Sequence, residues 1–90
     1  MIIKMSLSKS EKVLALLNQW DPAGVHAKSQ DWRAYRYEAE TICQRIRKNS
    51  SVSSVEKAVR ETMEFKMDGK PLDDNEVRNI AVFILEAIKT

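Results

Sequence analysis

The chain has little of what disulfide scaffolds and all-β folds require. Its 90 residues include one cysteine, two glycines and two prolines. A single cysteine excludes an intramolecular disulfide, and so few glycines and prolines leave few tight turns for an all-β fold. Since the chain needs no oxidising compartment, we expect a cytoplasmic protein. No run reaches the roughly 18 apolar residues of a membrane span, so no membrane partner is expected.

The sequence also lacks a pattern typical of catalysis or metal binding. His26 is the only histidine, and no cysteine or carboxylate stands near it at ligand spacing. Cys43 lies between Ile42 and Ile46 on an apolar stripe, where a thiol packs as a small hydrophobe. There is no glycine-rich phosphate loop and no nucleophile motif. We therefore expect no catalytic residues, no metal, no cofactor and no enzyme.

What the sequence does contain is helical periodicity. A capping box is predicted at Ser8 with Glu11, and apolar residues then recur at helical spacing up to Trp20. Further helices are predicted over 31–48, from 53, and from 73 to the end. The expected product is an all-α domain over 1–90, a small bundle of three to four helices, with 1–7 as a flexible tail.

The stretch "WDPAGV" predicts a sharp corner after the first helix. Pro22 cannot continue that helix, and Asp21 followed by proline is a favourable start for a new helical turn. Trp20 and Val25 then occupy the positions of a hydrophobic staple. These four residues are interpreted as structural.

The aromatic residues exceed what one helical seam requires. An exposed surplus of this kind is typical of a protein interface, where buried aromatics dominate the binding energy. Tyr35 and Glu38 stand one helical turn apart, either as a local hydrogen bond or as a contact for a partner. The predicted partner-binding residues are Trp32, Tyr35, Tyr37, Glu38, Phe65 and Phe83.

The last predicted helix carries an apolar arc of roughly 200°. So wide an arc must be covered on more than one side, either by the rest of the bundle or by another chain. It therefore favours a homodimer through the C-terminal helix.

Nucleic-acid binding is the alternative function. Arg33, Arg36 and Arg47 share one side of the second long helix, but Glu40 lies within the same face. The net charge is only +2, and residues 49–90 carry more acidic than basic side chains. The alternative is therefore a weak DNA- or RNA-binding regulator. We do not expect a continuous basic surface that follows the phosphate backbone.

The order of motifs resembles the YugE-like family of small bacterial helical proteins of unassigned function. The resemblance runs from Glu11 to Ile88, through "WDPAGV", "YRYEAETI", "RETMEFKM" and "VRNIAVFILEAI". It implies an all-α fold and no catalytic residues. Small proteins of this general kind often accompany toxin genes, so the resemblance also implies a specific form of protein binding, a toxin-neutralising immunity protein.

Overall fold

The computed structural model describes residues 8–31 and 33–89, except for the side chains of Val25 and His26. Over these residues the fold is all-α, as predicted, with no strand. The helices are α1 (Lys9–Trp20), α2 (Val25–Ser29), α3 (Arg36–Arg45), α4 (Val52–Lys66) and α5 (Asp74–Lys89). The count of three to four helices is not confirmed, because the short α2 makes five. The predicted tail at 1–7 lies outside the described residues.

The capping box at the start of α1 is confirmed. Glu11 N–H donates to Ser8 Oγ (3.2 Å), and Ser8 N–H donates to Glu11 Oε1 (3.0 Å). The bond from the Ser8 backbone N–H, with a smaller contribution from the Ser8 hydroxyl, holds the pKa of Glu11 below its ordinary value. The helices α4 and α5 also begin at side-chain caps, since Ser51 Oγ accepts from Ser54 N–H and Asp73 Oδ1 accepts from Glu76 N–H.

The predicted helix over 31–48 is shorter at both ends. Asp31 Oδ1 accepts from Arg33 N–H (2.9 Å), an Asx turn that competes with helix, so α3 begins only at Arg36. At the other end Ile46 is extended. Lys9 Nζ from α1 donates to the carbonyls of Cys43 and Ile46 (3.0 and 2.7 Å), which satisfies the end of α3.

The corner after α1 forms, but not as an N-cap followed by a proline-led helix. Asp21 is the C-cap of α1 in the left-handed region (φ 48°), and α2 begins only at Val25. Asp21 Oδ2 accepts from Ala27 N–H (2.9 Å), so its carboxylate still serves α2. Trp20 packs, partly buried, against the core, whereas the Val25 half of the predicted staple lies outside the described side chains.

Each long helix packs against two others, in the cyclic order α1, α3, α4, α5. Contacts between helix ends show that these neighbours are antiparallel. Lys12 near the start of α1 donates to the carbonyl of Ala87 near the end of α5 (3.3 Å). Lys66 at the end of α4 donates to the carbonyl of Ala34 just before α3 (3.2 Å). The α1–α5 edge and the α3–α4 edge therefore lie opposite one another across the ring.

The core fills the centre of this ring with apolar residues of all four long helices. Its largest fully buried members are Tyr35, Leu17, Ile42, Ile46, Met63, Ile84, Val13, Val55, Val59 and Val77. Among residues 8–31 and 33–89, no helix has both the length and the hydropathy to cross a membrane.

Candidate functional site

Two opposite edges of the ring carry the exposed aromatic side chains. Tyr37 and Phe65 stand out at the α3–α4 edge, 71% and 86% exposed, whereas Phe83 is 55% exposed at the α1–α5 edge. Each edge also has a cavity beside its aromatics. The predicted contact residues therefore lie on two separate surfaces.

At the α3–α4 edge a cavity of about 230 Å³ opens between the two helices. We call it the α3–α4 groove. It is lined mainly by Tyr37, Glu38 and Arg45 of α3 and by Glu61, Thr62 and Phe65 of α4. Three of the predicted contact residues, Tyr37, Glu38 and Phe65, are brought together here from two helices.

The walls of the groove carry a charged pair and the floor carries two buried acceptors. Arg45 Nη2 donates to Glu61 Oε1 (2.6 Å) on the exposed wall. Below them, Glu38 Oε1 and Thr62 Oγ1 are buried and have no hydrogen-bond partner among the described residues. A buried polar atom without a hydrogen bond costs about 1–3 kcal/mol, a penalty that applies to Thr62 Oγ1 and is reduced at Glu38 Oε1 by the nearby ammonium of Lys66.

Glu38 has one charged neighbour. Lys66 Nζ stands 3.6 Å from Glu38 Oε1, beyond hydrogen-bond distance, and donates instead to the carbonyl of Ala34. The ammonium also lies 5.6 Å from the centre of the Tyr35 ring. Lys66 thus balances part of the charge of Glu38 but leaves the hydrogen-bonding capacity of Oε1 unused.

The assignment of Tyr35 as a partner contact is wrong, because the side chain is fully buried. Its hydroxyl donates to Asp21 Oδ1 (2.6 Å) and accepts from Ala23 N–H (3.1 Å). Tyr35 therefore fastens the corner to α3 and makes no hydrogen bond with Glu38. Trp32, another predicted contact, lies outside the described residues.

At the α1–α5 edge a second cavity, of about 390 Å³, lies between the end of α1 and the middle of α5. We call it the α1–α5 groove. Its principal lining residues are Leu16, Trp20, Ile80 and Phe83, with Gln19 and Glu76. Its described lining is mostly apolar, and none of these residues has a buried polar atom without a partner.

Sequence reasoning missed Thr62, Arg45 and Glu61 as parts of one site. Thr62 was detectable as a hydroxyl residue on the apolar stripe of α4, a position where an aliphatic side chain is the expected choice. The Arg45–Glu61 pair joins two helices, and its spacing in the chain carries no signal.

The remaining reactive groups do not form a cluster. No group of three or more histidine, cysteine or acidic side chains converges within the part of the chain that the structure describes. Burial raises the pKa of the Cys43 thiol, which opposes formation of the thiolate.

Comparison of the chain with protein-family models, with curated proteins and with solved structures finds no match. The resemblance to the YugE-like family stays a prediction. Any proposal about function rests on the geometry above.

Proposed function

We propose that this protein binds another protein through the α3–α4 groove and carries out no catalysis. The observation that carries the proposal is the exposure of Tyr37 and Phe65 on either side of one cavity. A phenylalanine that is 86% exposed contributes nothing to the core of the free protein. Interface hot spots are typically aromatic side chains that lose their water at the centre of a contact.

The distribution of charge favours a protein partner over nucleic acid. Five of the arginines form ion pairs with carboxylates: Arg33, Arg36, Arg45, Arg60 and Arg78. A phosphate-binding surface would need several unpaired basic side chains together, and the acidic partners weaken any such field. The weak DNA- or RNA-binding regulator remains the alternative, and it predicts retention in a gel-shift assay that disappears steeply with added salt.

Photo-crosslinking tests the proposal. p-Benzoylphenylalanine is placed at position 65, or at position 83 as the matched control, in cells that produce the protein. Both side chains are exposed, so both variants should fold. We expect one protein crosslinked from position 65 and absent from position 83. Crosslinking of the same protein only from position 83 would contradict the choice of groove.

A specific version of the proposal is a cytoplasmic immunity protein that binds a toxin and blocks its active site. It predicts a one-to-one complex with an affinity of about 1 nM or tighter, near −12 kcal/mol. The partner identified by crosslinking is produced separately, the purified protein is added to it, and the toxic activity of the partner is measured. An active toxin in the saturated complex would contradict this version.

We further propose that the α1–α5 edge joins two copies of the chain. Phe83 is exposed there beside an apolar groove, so a second copy would cover apolar surface. Sedimentation at increasing concentration should show a dimer that Phe83→Asp abolishes. A monomer at every concentration would contradict the homodimer.

A further inference from the structure

The floor of the α3–α4 groove offers hydrogen-bond acceptors to a ligand from outside the chain. Glu38 is 7% exposed and Thr62 is 9% exposed, and both line the groove. Neither Glu38 Oε1 nor Thr62 Oγ1 has a hydrogen-bond partner among the residues that the structure describes. Both oxygens are closed to solvent in the free protein, so a ligand group that brings several donors reaches them only when the side chains above them change rotamer on binding.

The walls restrict the shape and charge of that ligand. Tyr37 and Phe65 present aromatic rings at the mouth, and flat cations bind favourably against such rings. The carboxylates of Glu38 and Glu61 disfavour an anion in the same space. Each carboxylate has one cation beside it, since Arg45 pairs with Glu61 at 2.6 Å and Lys66 Nζ lies 3.6 Å from Glu38 Oε1. Lys66 makes no hydrogen bond with Oε1, so this oxygen keeps its capacity to accept from a ligand. The groove is therefore suited to a planar cation with an apolar stem.

We infer that the groove binds an arginine side chain of the partner protein. This inference rests on the proposed function, and it specifies the chemistry of the partner at the same site. The guanidinium group carries five N–H donors in a rigid plane, so it can reach Glu38 Oε1 and Thr62 Oγ1 while its plane lies against Tyr37 or Phe65. The methylene stem packs between the aromatic walls.

Lysine fits the same space less well. Its ammonium is a compact, strongly hydrated charge that does not stack on a ring as a plane. Lys66 already holds an ammonium 3.6 Å from Glu38 Oε1, so a second one would meet a like charge at short range. The delocalised charge of guanidinium lowers that repulsion.

The experiment selects peptides from a random library on the wild-type protein and discards those that also bind the Phe65→Ala variant. The retained peptides depend on the groove, and we expect them to share an arginine. Replacing that arginine by citrulline, which has nearly the same shape and no charge, should weaken binding at least about tenfold. Replacing it by lysine should weaken binding less than citrulline does.

Variants of the floor identify the acceptors. Glu38→Gln should weaken binding of the arginine peptide about tenfold or more and leave the citrulline peptide nearly unchanged. Thr62→Val, which preserves the shape of the side chain, is the second variant if Glu38→Gln fails to fold. Phe83→Ala at the opposite edge is the control and should leave both affinities unchanged. Circular dichroism confirms the fold of each variant.

The outcomes separate this inference from the proposed function. Groove-dependent peptides that share an apolar side chain and no arginine would overturn the arginine inference and leave the groove as the binding surface. Equal affinity of the arginine and citrulline peptides would overturn it in the same way, as would a selection that retains no groove-dependent peptide. The proposed function itself fails only if the crosslinked partner contacts the opposite edge.

Discussion

The two edges of the ring look alike in sequence and differ in structure. Each has at least one exposed aromatic side chain beside a cavity between two helices, Tyr37 and Phe65 at one edge and Phe83 at the other. The α1–α5 groove is the larger, at about 390 Å³, and its described lining leaves no buried polar atom unpaired. The α3–α4 groove is smaller, at about 230 Å³, and its described lining includes two buried acceptors that make no hydrogen bond, Glu38 Oε1 and Thr62 Oγ1. Apolar surface alone favours self-association, whereas buried acceptors favour a ligand with matching donors.

This difference assigns the two edges different roles. An apolar patch stabilises any contact that removes it from water, so it selects a partner weakly. Unpaired polar groups discriminate strongly, since a partner without matching donors leaves them buried and unsatisfied. The smaller groove is therefore the better candidate for specific recognition.

The largest expected effect on stability is at Tyr35, which contacts residues near both edges of the ring. Its hydroxyl binds the corner beside Trp20, and its ring lies below Lys66 of α4. Tyr35→Ala should lower the free energy of unfolding by about 3–5 kcal/mol, because truncation of a buried aromatic leaves a cavity. Urea denaturation measures the change.

Tyr35→Phe separates the hydroxyl from the ring. It should lower the free energy of unfolding by about 1–3 kcal/mol, because it removes two hydrogen bonds in a part-buried site and leaves the Asp21 carboxyl without its 2.6 Å donor. A loss equal to that of Tyr35→Ala would show that the ring itself contributes little. An unchanged stability would contradict the role of the hydroxyl in fastening the corner.

A substitution at the N-cap of α1 serves as a reference for the stability changes, since this cap lies away from both grooves. Ser8→Ala should lower the free energy of unfolding by about 1 kcal/mol at neutral pH. The pKa of Glu11 is lowered in the folded state, so its stabilising contribution is present above its ordinary pKa and is lost as pH falls through the lowered value. The backbone N–H of position 8 still donates to Glu11 in the variant, so only the smaller part that the Ser8 side chain contributes is removed, and the difference between wild type and variant should shrink slightly in acid.

The loss of stability in Ser8→Ala and its dependence on pH can be measured by denaturation at neutral and acidic pH. Binding through the α3–α4 groove should be unaffected by Ser8→Ala at neutral pH. A stability difference that grows on acidification would contradict the assigned capping box.

A smaller effect of opposite sign is expected at the groove floor. Thr62→Val replaces an unpaired buried hydroxyl by a methyl group, so it should raise the free energy of unfolding by up to about 1 kcal/mol. Thr41→Val is the matched control, because Thr41 Oγ1 donates to the carbonyl of Tyr37 (2.9 Å) and loses that bond. Thermal unfolding distinguishes the two. Equal effects of the two substitutions would contradict the unpaired state of Thr62.

The smallest effect on stability is expected at the exposed aromatics. Phe65→Ala should change the free energy of unfolding by less than about 0.5 kcal/mol, as is usual for exposed surface positions. Phe83→Ala should cost slightly more, because Phe83 is less exposed and lines the larger groove. A large loss at Phe65 would show that it serves the fold and would weaken its assignment to binding.

Local signals predicted much of the fold. The all-α class followed from helical periodicity, and the capping box at Ser8 and the cap at Asp73 followed from residues three positions apart. The ends of α3 could not be predicted in this way. The apolar stripe continued through Tyr35 and Ile46, but an Asx turn at Asp31 delays the start, and the Lys9 side chain caps the end from a distant part of the chain.

The candidate site was predicted in part. Tyr37, Glu38 and Phe65 were chosen because they were surplus aromatic residues or a carboxylate near the stripe, and the fold places them in one groove. The same reasoning misassigned Tyr35, because a tyrosine on a stripe looks the same in sequence whether its hydroxyl faces a partner or a partly buried aspartate of the same chain. Phe83 could not be separated from the others, since its edge depends on the cyclic order of the helices.

The most direct test of the α3–α4 groove is to measure the affinity of the partner identified by crosslinking for two variants, Phe65→Ala and Phe83→Ala, and to compare each with the wild type. Phe65→Ala should raise the dissociation constant at least about thirtyfold, which corresponds to the roughly 2 kcal/mol that defines an interface hot spot. Phe83→Ala should change the dissociation constant less than about twofold. Isothermal titration calorimetry measures both. A larger loss for Phe83→Ala than for Phe65→Ala would contradict the account and move the binding surface to the α1–α5 edge.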